Sequence, residues 1–129
     1  MNTASQLLQD YLSALSSKNI DAIACICDSH SLVEIPFLKP NRLCGNAEII
    51  KAHGEIFANL ESIDFSLSNI EASDSHAIGA GQLRFTRADG NSEFLAAGIV
   101  AEAGAEKLAR VSLYCDARNL RPWSDKSIM

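Results

Sequence analysis

The hydrophobic pattern of this chain changes period once, near residue 60, and that change restricts the fold more than any other feature. Before it, apolar residues recur at helical spacing. Leu7, Leu8, Tyr11, Leu12 and Leu15 mark one helix from about residue 3 to 17, and Ile20, Ile23, Ala24 and Cys27 mark a short second one. Ile49, Ile50, His53, Ile56, Phe57 and Leu60 mark the buried side of a third, from about 46 to 60. After residue 62 the period is two. Ile63, Phe65 and Leu67 alternate with Asp64, Ser66 and Ser68, and three further segments follow at about 77 to 88, 92 to 102 and 106 to 116. Breaks at ASDS, ADGN and EAGAE separate them, the last two carrying the glycine that tight hairpins favour. Helices first and a four-strand meander second make an α+β arrangement.

Between the second and third helices lies SLVEIPF, an apolar strand with one acid, Glu34, followed by the loop LKPNRLCG. The strand is expected to join the meander at its edge. Asn19 suits the N-cap of the second helix, with Asp21 near its positive end. No linker or repeat interrupts the 129 residues, so one domain, 1–129, is expected. The tail NLRPWSDKSIM, with Trp123, is expected to pack across it.

Composition removes several classes of function. The net charge is −5 and the eleven basic residues are scattered, so no Lys/Arg stripe answers a phosphate backbone and nucleic acid is not expected as a partner. No apolar run approaches the roughly 20 residues that span a bilayer, and MNTASQLLQDYL reads as an amphipathic helix, not as a signal peptide; no membrane partner and a cytoplasmic location follow as expectations. Cys25, Cys27, Cys44 and Cys115 have neither CxxC nor zinc-framework spacing, and His30, His53 and His76 sit on different elements, so neither a metal nor a cofactor is expected.

The order helix, helix, strand, helix, meander resembles the NTF2-like cone fold, in which a curved, mainly antiparallel sheet wraps around helices and leaves one deep pocket. The run QDYLSALSSKNIDAIACICDSHSLVEIPFLKPNRLCGNAEII is similar in order and spacing to the SnoaL-like and ketosteroid isomerase-like branch. That branch has a tyrosine on the first helix, an N-x-D-A/G-I second helix, a V-E-D-P strand and a glycine opening the third helix. Its isomerases use an aspartate base in V-E-D-P, an oxyanion tyrosine on the first helix and a protonated acid on a later strand. In this chain the tyrosine corresponds to Tyr11, the base position holds Ile35, and the acid position falls at Ala97 or Gly98. Two of the three groups are absent, which argues against steroid-type isomerisation.

The resemblance places His53 where a second tyrosine bonds the first, so Tyr11 and His53 are the candidate catalytic pair, an imidazole beside a phenol that could move a proton. A hydrogen-bonded core histidine is the competing reading. Parity along SLVEIPF puts Val33, Ile35 and Phe37 toward the pocket and Glu34 away from it. Phe57, Leu83 and Phe85 complete the expected ligand wall. On the last strand Arg110, Ser112, Tyr114 and Asp116 share one face, and Ala109, Val111, Leu113 and Cys115 the other. Either set can face inward. If the polar set does, it lines the pocket, and the apolar set with Leu95, Ala97 and Ile99 forms an exposed strip that predicts a homodimer. Gly79 and Gly81 mark either extra pocket space or a bend in the sheet. The expected function is binding or transforming a small, largely apolar organic molecule without cofactor, as a SnoaL-like protein. Whether that includes catalysis, as an isomerase, cyclase, lyase or hydrolase, stays open. The alternative is a non-catalytic module for dimerisation or protein interaction.

Overall fold

The computed structural model describes residues 3–36, 38 and 40–116, and within them three helices precede a six-stranded sheet. Helix α1 (Ala4–Ser17) starts where the Thr3 side chain accepts the Gln6 N–H at 3.1 Å, a cap that satisfies one of the free donors of the first turn. It stops at Lys18, whose left-handed backbone turns the chain. The Lys18 ammonium then donates to the Leu60 carbonyl at 2.8 Å, tying that helix end to the sheet. Asn19 caps α2 (Ile20–Ile26) through the Ala22 N–H. Gly45, at φ 86, opens α3 (Asn46–Asn59), a backbone angle that a side chain would strain.

The strands are β1 (Leu32–Glu34), β2 (Arg42–Cys44), β3 (Leu60–Ala72), β4 (His76–Arg87), β5 (Ser92–Ala103) and β6 (Leu108–Tyr114), in the sheet order β2-β1-β6-β5-β4-β3. The α+β architecture with a mainly antiparallel sheet matches the expectation; one detail differs. SLVEIPF is not at the edge: β1 runs parallel to β6 and is covered on its other side by β2. Within the expected loop, Arg42–Cys44 is a strand: three residues after Pro40 and Asn41 are too few to display a period, and only pairing with Leu32–Glu34 makes them one.

The sheet curves around α1. The inward positions of the meander, among them Ile63, Phe65, Leu83, Phe85, Ile99 and Val111, are buried against Leu7, Leu8, Tyr11 and Leu15, and each such burial contributes about 1.5–3 kcal/mol. The register of β3 on β4 shifts between Leu67 and Asn69, opposite Gly81 and Ala80. At Gly81 a Cβ would lie 1.9 Å from the Ser66 carbonyl oxygen, and at Gly79 it would lie 2.5 Å from Leu67 Cδ2. The two glycines therefore serve the bend. The room their missing side chains leave is filled by β3 and not by pocket.

Candidate functional site

Tyr11 on α1 and His53 on α3 meet across the core. Tyr11 Oη and His53 Nε2 are 2.8 Å apart, their rings are edge-on at 5.6 Å, and both residues are buried. His53 Nδ1 is 2.7 Å from the carbonyl oxygen of Ile49, one helical turn earlier, and the Phe57 ring packs edge-on against the imidazole. Burial dominates the electrostatics. It lowers the His53 pKa to about 4, against a smaller opposite effect of the Ile49 hydrogen bond. It also pushes the Tyr11 phenol far above its usual range, with a further contribution from nearby Cys27, whose thiol burial raises to about 11. Both members of the pair are thus held neutral at pH 7.

Beside Tyr11 lies a small, partly open cavity of about 10 Å³, walled by Tyr11, Leu12, Leu15, Ile35, Phe65, Leu83, Ile99, Val111 and Leu113. That is room for roughly one water molecule, and an apolar wall offers a water too few partners to hold it. Leu12, Phe65 and Leu113 are the least buried members of the wall, so the cavity lies nearest solvent on their side.

Of the expected wall, Ile35 and Leu83 line this cavity; Val33, Phe57 and Phe85 are buried in the core but outside its wall, and His53 stands behind Tyr11. Phe37 lies outside the described residues, as does Trp123. Leu12, Leu15, Phe65, Ile99, Val111 and Leu113 were not among the expected wall residues. The signal for the strand members was present in the alternation along β3, β5 and β6, but only the direction of α1 decides which parity faces it.

On β6 the apolar set faces inward. Val111 and Leu113 are 1 % and 8 % exposed, and Ala97 and Ile99 of β5 are 9 % and 2 % exposed. Most of the apolar strip from which a homodimer is expected is therefore interior, with Leu95, Ala109 and Cys115 partly buried. Among the described residues, the large hydrophobic side chains exposed on the outer face are instead Ile78, Phe94 and Tyr114, at 60 %, 60 % and 53 % exposure.

Arg110, Ser112 and Tyr114 are correspondingly on the outer face, with Glu34, and do not line the Tyr11 cavity; Asp116 is exposed just beyond β6. Glu34 Oε1 accepts from Ser112 Oγ at 2.5 Å and from Arg110 Nε at 3.1 Å, while Arg42 Nε lies 3.6 Å from Oε2. Arg110 also reaches Glu102 at 3.3 Å and Tyr114 Oη at 3.1 Å. The Ser112 hydrogen bond, and then the Arg110 contacts, hold the Glu34 carboxyl below its usual range despite partial desolvation. A carboxylate so stabilised is a poor base. The open cleft above it, about 440 Å³, is lined by charged groups and by Ile35, Pro36 and Leu113 alike. Among the described residues, no three of His, Cys, Asp and Glu come together where a metal ion could be held.

No protein-family model matches the sequence, and no curated protein is significantly similar to it. Solved structures do match. A protein assigned as a SnoaL-like polyketide cyclase from Shewanella denitrificans OS-217 shares 11 % identity over 89 % of this chain and 91 % of its own, with a TM-score of 0.79. An LEH-like epoxide hydrolase of M. tuberculosis shares 12 % identity over 88 % of this chain and 83 % of its own, with a TM-score of 0.77. A protein with a ketosteroid isomerase-like fold from Catenulispora acidiphila DSM 44928, in complex with trimethylamine, shares 10 % identity over 87 % and 86 %, with a TM-score of 0.75. Curved sheet, three leading helices and these neighbours together identify the fold as the NTF2-like cone shared by SnoaL-like and ketosteroid isomerase-like proteins.

Proposed function

We propose that this protein binds a small, largely apolar organic molecule inside the cone, without cofactor, at the cavity beside Tyr11. The observation that carries the reading is the space bounded by Tyr11, Ile35 and Leu83, on the concave side of the sheet and walled by hydrocarbon. Ligands of that chemistry gain their binding energy from such walls. At about 10 Å³ the space is smaller than any such molecule, so binding requires the wall to widen.

Binding is favoured over turnover. Among the described residues no carboxylate stands in the wall, and a proton passed through Tyr11 to His53 at pH 7 would cost about 4 kcal/mol, because the imidazole pKa is about 4. Methyl NMR with a panel of small apolar compounds tests the reading. Shifts at Leu12, Leu83, Ile99, Val111 and Leu113, with a raised melting temperature, are expected.

A second reading, a non-catalytic module that assembles through the outer face of its sheet, is favoured by the small cavity volume and by exposed Ile78, Phe94 and Tyr114. Between these three, register places Ala80 opposite Gly98 and Gly98 opposite Tyr114, a flat centre that suits a homodimer contact. Shifts confined to Ile78 and Val100 on dilution, with none in the cavity, would favour it over ligand binding.

A further inference from the structure

The outer cleft beside Glu34 offers more hydrogen-bond donors than it has acceptors for. Glu34 Oε1 already accepts from Ser112 Oγ at 2.5 Å and from Arg110 Nε at 3.1 Å, with Arg110 Nη2 at 3.0 Å. Arg110 commits its other terminal nitrogen to Glu102 at 3.3 Å. Arg42 is different. Its Nε lies 3.6 Å from Glu34 Oε2, a charge contact too long for a hydrogen bond, its side chain is 63 % exposed, and neither of its terminal nitrogens donates to a described residue. Tyr114 Oη accepts from Arg110 Nη2 at 3.1 Å, which leaves the phenol's own proton for another acceptor. Two guanidiniums against one carboxylate give the cleft lining one positive charge, on a chain whose net charge is −5.

The same cleft has an apolar side. Ile35, Pro36 and Leu113 line it, and Tyr114, half exposed, adds an aromatic ring. We propose that this cleft binds a small aromatic carboxylate, its oxygens on the terminal nitrogens of Arg42 and on the Tyr114 hydroxyl, its ring against Tyr114 and Pro36. A carboxylate takes two parallel hydrogen bonds from the planar fork of an arginine. The Glu34 charge that would repel it is answered by Arg110. At about 440 Å³ the cleft has room for such a molecule as it stands, in contrast to the cavity beside Tyr11. The two sites are separate, and neither depends on the other.

The test is an NMR titration of the intact protein with benzoate, its neutral counterpart benzamide, and acetate. Benzoate is expected to shift the Arg42 side-chain N–H and the Tyr114 ring signals, to bind at least about fivefold more tightly than benzamide or acetate, and to weaken as salt is raised from about 20 to 300 mM. Arg42→Gln, an exposed change, should cost about tenfold in benzoate affinity with an unchanged melt. Equal binding of benzamide, or an affinity indifferent to both salt and Arg42→Gln, overturns the charge recognition. Acetate binding as tightly as benzoate overturns the role of the ring. No shift at Arg42 or Tyr114 up to the solubility of benzoate overturns the site altogether. Shifts confined to the Leu12, Leu83 and Ile99 methyls do so too, while supporting the cavity beside Tyr11 as the ligand site.

Discussion

Lowering the pH through the histidine range should destabilise this protein by an amount traceable to His53 alone. Its pKa is about 4 in the folded state and about 6.5 in an unfolded chain. The folded state thus favours the neutral form. Above pH 6.5 both states are neutral and the full stability is present. Between 6.5 and 4 the unfolded chain binds the proton and the folded one does not, so stability falls, with a limiting slope of about 1.4 kcal/mol per pH unit. Below about 4 both states are protonated and the loss stops. From pH 7.5 to 4.5 the loss integrates to about 2.5 kcal/mol. Urea denaturation of the wild type and of His53→Gln at these two pH values isolates it, because every other titration is common to both proteins and cancels in the difference. At pH 7.5 the variant should be the less stable by about 1–3 kcal/mol, since Tyr11 loses its partner. By pH 4.5 the gap should close or reverse. A gap independent of pH would refute the reasoning, as would an NMR titration of His53 with its midpoint near 6.5.

Three further outcomes are expected. Gly81→Ala should destabilise the fold by at least about 3 kcal/mol in urea, because its Cβ would meet the Ser66 carbonyl at 1.9 Å and β3 cannot retreat without losing the bulge; a melt within a degree of wild type would show that the bend tolerates a side chain. Ile78→Glu combined with Phe94→Glu should leave folding within about 0.5 kcal/mol per site, both being exposed, yet dissociate an outer-face dimer in sedimentation velocity; an unchanged dimer would place the contact elsewhere. Glu34→Gln should cost about 1 kcal/mol at pH 7. The Glu34 carboxyl pKa is lowered on folding, so its contribution is present above the unfolded value and is lost as pH falls through the folded one, and the difference from wild type should shrink in acid. A cost that stayed constant from pH 7 to pH 3 would mean that charge plays no part there.

Much of the architecture could be read directly from residues. Spacings of three and four in Leu7 to Leu15 and in Ile49 to Leu60, then alternation from Ile63 onward, dictate helices and strands because each period turns one apolar face toward a common core. The Tyr11 and His53 juxtaposition was inferred from a resemblance, and periodicity contributed only that both residues sit on buried helix faces.

What local pattern could not decide was direction. Along β6 the alternation of Arg110, Ser112 and Tyr114 with Val111 and Leu113 is equally sharp whichever side α1 occupies. Tertiary packing of α1 on the apolar set turned the polar set outward, where it joins Glu34 from β1, 76 residues distant from Arg110 in the chain. The brief strand Arg42–Cys44 exists only because Leu32–Glu34 offers it a paired edge. Cavity size, too, belongs to the assembled fold. Composition supplied the apolar wall, but the volume left inside it is the residue of all side chains closing at once, a small difference between large packed volumes that no single segment encodes.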